Sequence, residues 1–349
     1  LTDLGALSVE AKKTRTGLHV YTVTAHGRRM AELAMHPRLA HMVLKARDAD
    51  LGGLACRVAA ILSERDFIRF APGTHDADLG LRLDVIEAVQ ADRRLTDPAL
   101  QIDYSACRRI RQTAEVFEKR LGIRRQKNHM TRTGKILAWA YPERIAQQRP
   151  GTRDRYLMVN GGGAYFNVPE PLSAEEYLVV AALDGNRREA RIFLAAGYDK
   201  TDLDIQYGHR IEKLARVEWD PDARAVKAET VYTLGAMKLA AEPLTQAPAQ
   251  QLLQAMVKGI RKHGLDCLPW TNSLRTWQAR VLFLRRLDAG RTDWPDVSDD
   301  TLGETLENWL APYLHGITRI KQLKGVDLKS ALHAHLTWRR QRLLDELAP

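Results

Sequence analysis

A run of cationic residues between Cys107 and Lys135 offers the clearest chemistry in this sequence. The run carries ten Arg and Lys side chains against two acidic ones, Glu115 and Glu118. Long cationic side chains can contact phosphate groups, and each contact releases counterions from a nucleic acid. A solvated helix face is the alternative explanation of the same pattern. The candidate phosphate contacts in this run are Arg108, Arg109, Arg111, Lys119, Arg124, Arg125, Lys127, Arg132 and Lys135.

Two further arginines and three aromatic residues follow this run. Arg153 and Arg155 stand at the entry to a strand-rich region, where a barrel surface can track a single nucleic-acid strand. Tyr156, Tyr165 and Phe166 can stack on bases, or they can fill a hydrophobic core. The two arginines are therefore added to the candidate contacts, and the role of the aromatic residues stays open.

The sequence lacks the motifs that an ATP-driven motor needs. Gly134-Lys135 is the nearest match to a phosphate-binding loop, but Ile136 follows where Ser or Thr is required. His129 stands where that motif needs its first glycine, and no acidic DExH box is present. We therefore expect that this chain alone neither binds nor hydrolyses ATP, and we predict no cofactor for it.

Other reactive side chains form weaker patterns. His333 and His335 offer two imidazoles, but positions i and i+2 of a helix do not face the same side, so no metal site is predicted. No nucleophile and base stand in a recognisable arrangement, and no catalytic residue is predicted. A hydrolase whose site is assembled from distant His, Asp and Glu residues remains an alternative.

Composition restricts the class of protein. An apolar content of 45% and a charged content of 28% are typical of a folded chain. The net charge of +10 favours a polyanionic partner, with nucleic acid first and a membrane surface second, although a basic enzyme also fits. Three widely separated cysteines favour a reducing cytoplasm over a disulfide framework. No membrane-spanning run or signal peptide is recognisable, so a cytoplasmic location without membrane contact is predicted.

The elements that position these residues change character along the chain. At 349 residues, two or three domains are expected. Residues 1–26 predict a short helix over Leu1 to Leu7, a basic link and the strand HVYTVT. Residues 27–148 predict helices throughout, with Pro37 at the first position of one of them. Short strands then follow, including Tyr156–Val159 and Tyr177–Leu183, and they predict a small barrel or sandwich. Helical periodicity returns after Pro248.

Several longer stretches resemble one protein family. In TAHGRRMAELAMHPRLAHM, the recurring positions are Thr24, Gly27, Met30, Leu33, His36, Pro37, Arg38 and Leu39. The stretches LSERD, AWAYPERIAQQR, RYLMVNGGGA, GLDCLPW, LRTWQARVLFLRR and WPDVSDD follow in order. Together they are similar to the region after the motor of HrpB-type DEAH-box RNA helicases. Ala34 departs from this pattern, since the family usually has proline there, and the link at residues 12–23 is longer than usual.

The resemblance implies an α+β, multidomain architecture. It implies a winged-helix remnant at residues 1–26, a ratchet-like helical bundle at 27–148, an oligonucleotide-binding (OB)-like β domain at 149–242 and a C-terminal helical domain at 243–349. Both ends of the chain are then expected to be truncated.

The resemblance also implies a function. The chain would guide single-stranded RNA, or single-stranded DNA, for N-terminal motor domains of the same parent protein. ATP and Mg²⁺ would belong to that missing motor, which is where hydrolysis would occur. A stand-alone RNA- or DNA-binding adaptor built from the same domains is the main alternative.

Overall fold

The protein is a mixed α and β structure with more than one domain, which confirms the coarse prediction of the fold class. The computed structural model describes residues 1–10, 20–93, 100–123, 132–186, 188–287 and 294–348. The chain divides into two compact units. Unit 1 comprises Leu1–Glu212 and Thr233–Lys238, and unit 2 comprises Lys213–Tyr232 and Leu239–Pro349. The predicted domain boundaries at residues 26, 148 and 242 stay predictions.

Unit 1 begins with a β-hairpin in place of the expected helix. Strands β1 (Leu7–Glu10) and β2 (Val20–Val23) pair antiparallel, which agrees with the strand predicted within HVYTVT. The helix predicted over Leu1 to Leu7 is wrong. Gly5 adopts a positive φ of 66° and its N–H donates to the carbonyl of Thr2, so the chain turns before β1 begins. The basic link of Lys12, Lys13 and Arg15 lies outside the described residues.

Helices form most of the region that follows. In chain order these are α1 (Ala25–Glu32), α2 (Pro37–Asp48), α3 (Gly52–Leu62), α4 (Leu79–Gln90), α5 (Tyr104–Leu121) and α6 (Thr133–Ala140). Pro37 is the first residue of α2, as predicted, and the His36 side chain accepts a hydrogen bond from the Arg38 N–H. Helix α3 is apolar on nearly all sides and is buried between α2 and α5.

The prediction that residues 27–148 are helical throughout is wrong at three places. Strands β3 (Ile68–Phe70) and β4 (Leu100–Ile102) pair antiparallel between the helices. Strand β5 (Ile145–Gln148) closes the region and is already part of a barrel. Three-residue strands are too short to show a period of two. In addition, β3 and β4 are separated in the sequence by the whole of α4, so no local pattern indicates that they pair.

A closed five-stranded barrel forms the β part of unit 1. Its other strands are β6 (Arg155–Met158), β7 (Gly163–Tyr165), β8 (Tyr177–Leu183) and β9 (Glu189–Gly197), and the strand order is β5-β6-β7-β9-β8, with β8 pairing back to β5. The pair β7 and β9 is parallel, whereas the other neighbours are antiparallel. Apolar side chains fill the interior, including those of Tyr156, Phe166, Leu178, Val180 and Ile192.

The segment before α4 is fixed to the barrel by a buried carboxylate. The side chain of Glu170 is 1% exposed, and its two oxygens accept hydrogen bonds from His75 Nδ1 at 2.6 Å and from the Ala77 N–H at 2.8 Å. The Ala77 carbonyl in turn accepts from the N–H of Ala195 in β9. A buried carboxylate is tolerated because it has these donors, so the helices and the barrel of unit 1 pack as one body.

The remaining strands do not belong to the barrel. Strands β10 (Glu212–Asp220), β11 (Ala225–Leu234) and β12 (Met237–Pro243) form a separate three-stranded sheet in sequence order. The predicted turn at Asp220-Pro221-Asp222 joins β10 to β11, and the Asp220 side chain accepts from two backbone N–H groups there. Helix α7 (Lys200–Tyr207) lies between the barrel and this sheet in the sequence.

Unit 2 is completed by helices around one hydrophobic core. These are α8 (Ala249–His263), α9 (Asn272–Leu287), α10 (Asp299–Glu304), α11 (Leu306–Trp309), α12 (Leu328–His333) and α13 (Trp338–Leu347). The core joins Trp219 of β10 to apolar residues of α8, α9 and the later helices. No helix in the described parts of the chain is both long and apolar enough to cross a membrane.

Two histidines meet where α1 packs on α2. Nε2 of His26 lies 2.8 Å from Nδ1 of His41, and the rings are edge to face. Burial is the main cause that lowers the pKa of both imidazoles, and Lys45 adds to it; the pKa of His41 falls to about 4. Both rings are therefore neutral near pH 7.

Acidification should destabilise the wild-type chain more than a His41→Gln variant. The ordinary pKa of histidine is 6.5, so between pH 6.5 and 4 the unfolded state binds more protons than the folded state. Stability conferred by the neutral His41 is complete above this window and is lost as the pH falls through it. We expect a differential loss of about 1–2 kcal/mol, since the site retains some access to solvent. Thermal midpoints of both proteins between pH 7 and 4.5 check this, and parallel curves would contradict it.

Candidate nucleic-acid interface

The outer surface of the barrel carries cationic and aromatic side chains in register. Successive side chains of a strand point to opposite faces, so the burial of Tyr156 and Ala190 inside the barrel turns their neighbours outward. Arg155 of β6 pairs in register with Tyr165 of β7, and Tyr165 pairs with Arg191 of β9. The arginine–tyrosine–arginine row therefore runs across three adjacent strands.

An exposed aromatic ring extends this row. Phe193 lies two residues after Arg191 on the same face of β9, and it is 38% exposed. The Arg191 guanidinium carbon lies 5.3 Å from the centroid of the Phe193 ring, which is within the range of a cation–π contact. We refer to Arg155, Tyr165, Arg191 and Phe193 as the barrel face.

One acidic residue shares this surface and is already neutralised. Glu189 lies 2.8 Å from Arg149 and 3.8 Å from Arg155. Gly163 makes room for the first pair, because a Cβ atom there would lie 2.5 Å from both Arg149 and Glu189 atoms. With Arg149, Arg155 and Arg191 set against Glu189, the surface keeps an excess of positive charge.

The loops at the rim of the barrel supply further cations. Arg149 and Arg153 stand in the loop between β5 and β6, and exposed Arg188 stands in the loop between β8 and β9. Arg153 also borders an open groove of about 870 Å³, which Phe166 and Glu170 line from the barrel side. Both loops adjoin strands that carry the barrel face, since β6 begins at Arg155 and β9 begins at Glu189.

Helix α5 carries the second group of predicted contacts. Ile110, Ala114 and Phe117 are buried, which leaves the cations of α5 on the other side of the helix. Arg108, Arg109 and Lys119 are exposed. Some of their charge is compensated: Arg109 lies 3.8 Å from Glu64, and Arg111 lies 3.6 Å from Glu115. Arg132 is exposed at the beginning of α6. Arg124, Arg125 and Lys127 lie outside the described residues.

Lys135 is held in a local ion pair. Its Nζ lies 2.5 Å from Oδ1 of Asp202, and the lysine side chain is 13% exposed. The pair joins α6 to α7, so this ammonium group is neutralised within the fold. Gly134, which precedes it, packs against the backbone of β9. Neither residue is therefore arranged as a phosphate-binding loop requires.

The three aromatic residues whose role the sequence leaves open lie on different sides of the barrel wall. Tyr156 and Phe166 are buried and pack edge to face with ring centroids 5.7 Å apart, so the stacking interpretation is wrong for both. The Tyr156 hydroxyl donates within the core region to the Leu172 and Glu175 carbonyls. Tyr165 is half-buried on the outer face and stays available.

Arg149, Arg188, Arg191 and Phe193 were missed by the sequence analysis. The alternation of Arg191 and Phe193 with buried Ala190 and Ile192 is visible in the sequence and could have identified them. The two histidines near the C-terminus serve packing: His333 stacks on Trp277 at 5.2 Å, and His335 contacts Trp309. In the described residues, no group of three or more His, Cys, Asp or Glu side chains is placed to hold a metal ion.

Comparison with known proteins gives a consistent result. The chain is 32% identical over 333 residues to the ATP-dependent RNA helicase HrpB of Escherichia coli. It also matches two crystal structures of E. coli HrpB at 31% and 29% identity, both with a TM-score of 0.52 over 99% of the chain. The resemblance to HrpB-type helicases is confirmed. No protein-family model matches the chain.

The match covers a minor part of HrpB. It includes 94% of this chain but 37% of the length of HrpB, and 38% and 39% of the chains in the two crystal structures. HrpB is called a DExH-box NTPase in the first of these structures and a DEAH/RHA helicase in the second. The chain is thus a helicase-related region, similar to HrpB across its own length.

Proposed function

We propose that this chain is the RNA-guiding part of an HrpB-type helicase and that the barrel face holds the backbone of single-stranded RNA. The observation that supports this most is the register of Arg155, Tyr165 and Arg191 on one outer surface. Arginine side chains pair with phosphate oxygens, and an exposed aromatic ring can stack on a base of any identity. Binding of this kind tolerates many sequences, as a guiding surface requires.

The topology of the barrel supports an OB-like assignment. An OB fold is a five-stranded Greek-key barrel that binds oligonucleotides with its second and third strands and with the loops between strands 1 and 2 and between strands 4 and 5. In this barrel those strands are β6 and β7, and those loops contain Arg149, Arg153 and Arg188. Arg155 and Tyr165 of the barrel face lie on these two strands, and Arg191 and Phe193 lie on β9, which pairs with β7.

We assign the helices of unit 1 to the ratchet-like bundle and the β1–β2 hairpin to the end of a winged helix. In this proposal the cations of α5 and α6 form a second contact line for the same strand. Its members are Arg108, Arg109, Arg111, Lys119 and Arg132, with Arg124, Arg125 and Lys127 as further predictions. Lys135 is left out because Asp202 neutralises it.

ATP hydrolysis is assigned to domains outside this chain. We propose that ATP and Mg²⁺ belong to motor domains of a parent protein, which hydrolyse ATP and act on RNA, or on DNA, held by this chain in the cytoplasm. The residues of this chain supply cations and a stacking surface, and we assign none of them a catalytic role. Coupling then means that RNA bound at the barrel face raises ATP turnover in the motor.

Binding of labelled single-stranded RNA, followed by fluorescence anisotropy as salt is raised, tests the proposal. If three phosphates are contacted, the affinity should fall roughly 20-fold when the salt concentration is raised fourfold, because each contact releases counterions. A duplex of the same sequence should bind more weakly, since its bases cannot reach Tyr165. Absence of binding at low salt, or binding that is indifferent to salt, would contradict the proposal.

A further inference from the structure

A cavity on the helical side of unit 1 is separate from the barrel face. It measures about 660 Å³ and opens between α1, α2, α6 and the end of α7. His26, His41, Lys45, Trp139 and Arg210 contribute to its lining. None of these residues belongs to the candidate nucleic-acid contacts described above, so the cavity needs an explanation of its own.

The cavity is cationic. Lys45 and Arg210 are both exposed, and within the described residues neither has a carboxylate partner at ion-pair distance. Asp3 is the acidic residue in the lining. The two fixed positive charges therefore exceed the negative charge at this site, and they are free to bind an anion.

The histidine pair gives the cavity defined hydrogen-bonding groups. Nδ1 of His41 lies 2.8 Å from Nε2 of His26, so one ring donates a hydrogen bond to the other. When Nε2 of His26 donates in this bond, its Nδ1 is an acceptor, and when Nε2 accepts, its Nδ1 is a donor. Nδ1 of His26 can therefore form a hydrogen bond with a hydroxyl group in either tautomer, because a hydroxyl both donates and accepts. The imidazoles can therefore form directional hydrogen bonds with a ligand, and Lys45 and Arg210 supply positive charge.

Aromatic residues complete the lining. Trp139 and Tyr207 border the cavity, and the Arg210 guanidinium carbon lies 5.8 Å from the centroid of the Tyr207 ring. The Tyr207 hydroxyl donates to the Ala138 carbonyl at 2.7 Å, which fixes that ring. A volume of this size is within the range of small-molecule sites that combine apolar walls with a few polar groups.

We propose that this cavity binds a nucleoside monophosphate, either free or as the phosphorylated 5′ end of an RNA chain. The phosphate, which carries close to two negative charges at neutral pH, pairs with Lys45 and Arg210. The base lies against the aromatic wall, and the carboxylate of Asp3 accepts hydrogen bonds from ribose hydroxyls. The site does not depend on the barrel face and is independent of the function proposed above.

Isothermal titration calorimetry with AMP and adenosine tests the site on the whole chain. Adenosine should bind at least about tenfold more weakly than AMP, since it lacks the charge that Lys45 and Arg210 pair with. A Lys45→Gln, Arg210→Gln variant should lose at least about tenfold in AMP affinity. A variant with Lys321→Gln and Lys324→Gln, two exposed cations of unit 2, removes the same charge and should bind AMP like the wild type.

Each outcome decides the proposal. Absence of AMP binding at about 1 mM, equal binding of AMP and adenosine, or unchanged binding by the Lys45→Gln, Arg210→Gln variant at an unchanged thermal midpoint would overturn it. A 5′-phosphorylated RNA trinucleotide identifies the source: binding as tight as that of AMP supports an RNA end, and weaker binding supports the free nucleotide. Charge reversal at Arg155 and Arg191 should leave AMP binding unchanged, which separates this site from the barrel face.

Discussion

Charge reversal at Arg155 and Arg191 together is expected to weaken the binding of single-stranded RNA by about 100-fold at low salt. Each substitution to Glu removes one phosphate contact and adds repulsion on the barrel face, and about 1.4 kcal/mol for each site corresponds to tenfold in affinity. The salt dependence should also become shallower by roughly 0.7 for each lost contact. Fluorescence anisotropy of labelled RNA measures both quantities.

The matched control is charge reversal at Lys321 and Lys324. Both side chains are exposed in unit 2, and the double substitution changes the net charge by the same amount. It should weaken binding by much less if the effect is local. Charge reversal at Arg108 and Arg109 measures the contribution of α5 separately. Equal effects of all three double variants would mean that net charge, and not the barrel face, determines affinity.

Substitution of Gly134 by alanine is expected to destabilise unit 1 by about 2–3 kcal/mol. A Cβ atom at this position of α6 would lie 2.0 Å from the carbonyl oxygen of Gly197 in β9. The obstacle is backbone, which cannot move aside as a side chain can, so helix and barrel would have to separate. The loss exceeds the gain of up to about 1 kcal/mol in helix propensity from Gly to Ala.

Thermal unfolding followed by circular dichroism checks this effect. Gly208→Ala is the control within the same unit, because a Cβ atom there meets nothing within 4 Å and φ is −53°. That variant should be as stable as the wild type or more stable by up to about 1 kcal/mol. A midpoint for Gly134→Ala at or above that of the wild type would show that α6 does not pack on β9 as described.

Much of the fold could be predicted from the sequence because its longer elements have clear local patterns. The His36-Pro37 helix start is determined by proline's fixed φ and missing N–H, and it is confirmed. The continuous apolar run Tyr177–Leu183 is confirmed as β8. Most of its side chains are buried on both sides of the strand, so the strand needs few polar residues. The short strands β3 and β4 could not be predicted, because three residues show no period.

The candidate site was harder to predict because it depends on pairing between distant residues. Tyr156 and Tyr165 are both tyrosines in adjacent strands. The side chain of Tyr156 is buried inside the barrel, whereas that of Tyr165 lies on the outer face. Unlike β9, strands β6 and β7 do not alternate between polar and apolar residues, so their sequences do not indicate which face is inside. The neutralisation of Lys135 depends on Asp202, 67 residues away, which no local pattern can indicate.

Crosslinking of 4-thiouridine-labelled single-stranded RNA to this chain, with the modified peptides identified by mass spectrometry, tests the central claim most directly. The proposal predicts crosslinks at Tyr165 and Phe193, the two aromatic residues of the barrel face. Competition by unlabelled RNA should remove them, and charge reversal at Arg155 and Arg191 should reduce them. Crosslinks confined to α5 or to unit 2, with none on β7 or β9, would contradict the assignment of the barrel face as the path of the RNA.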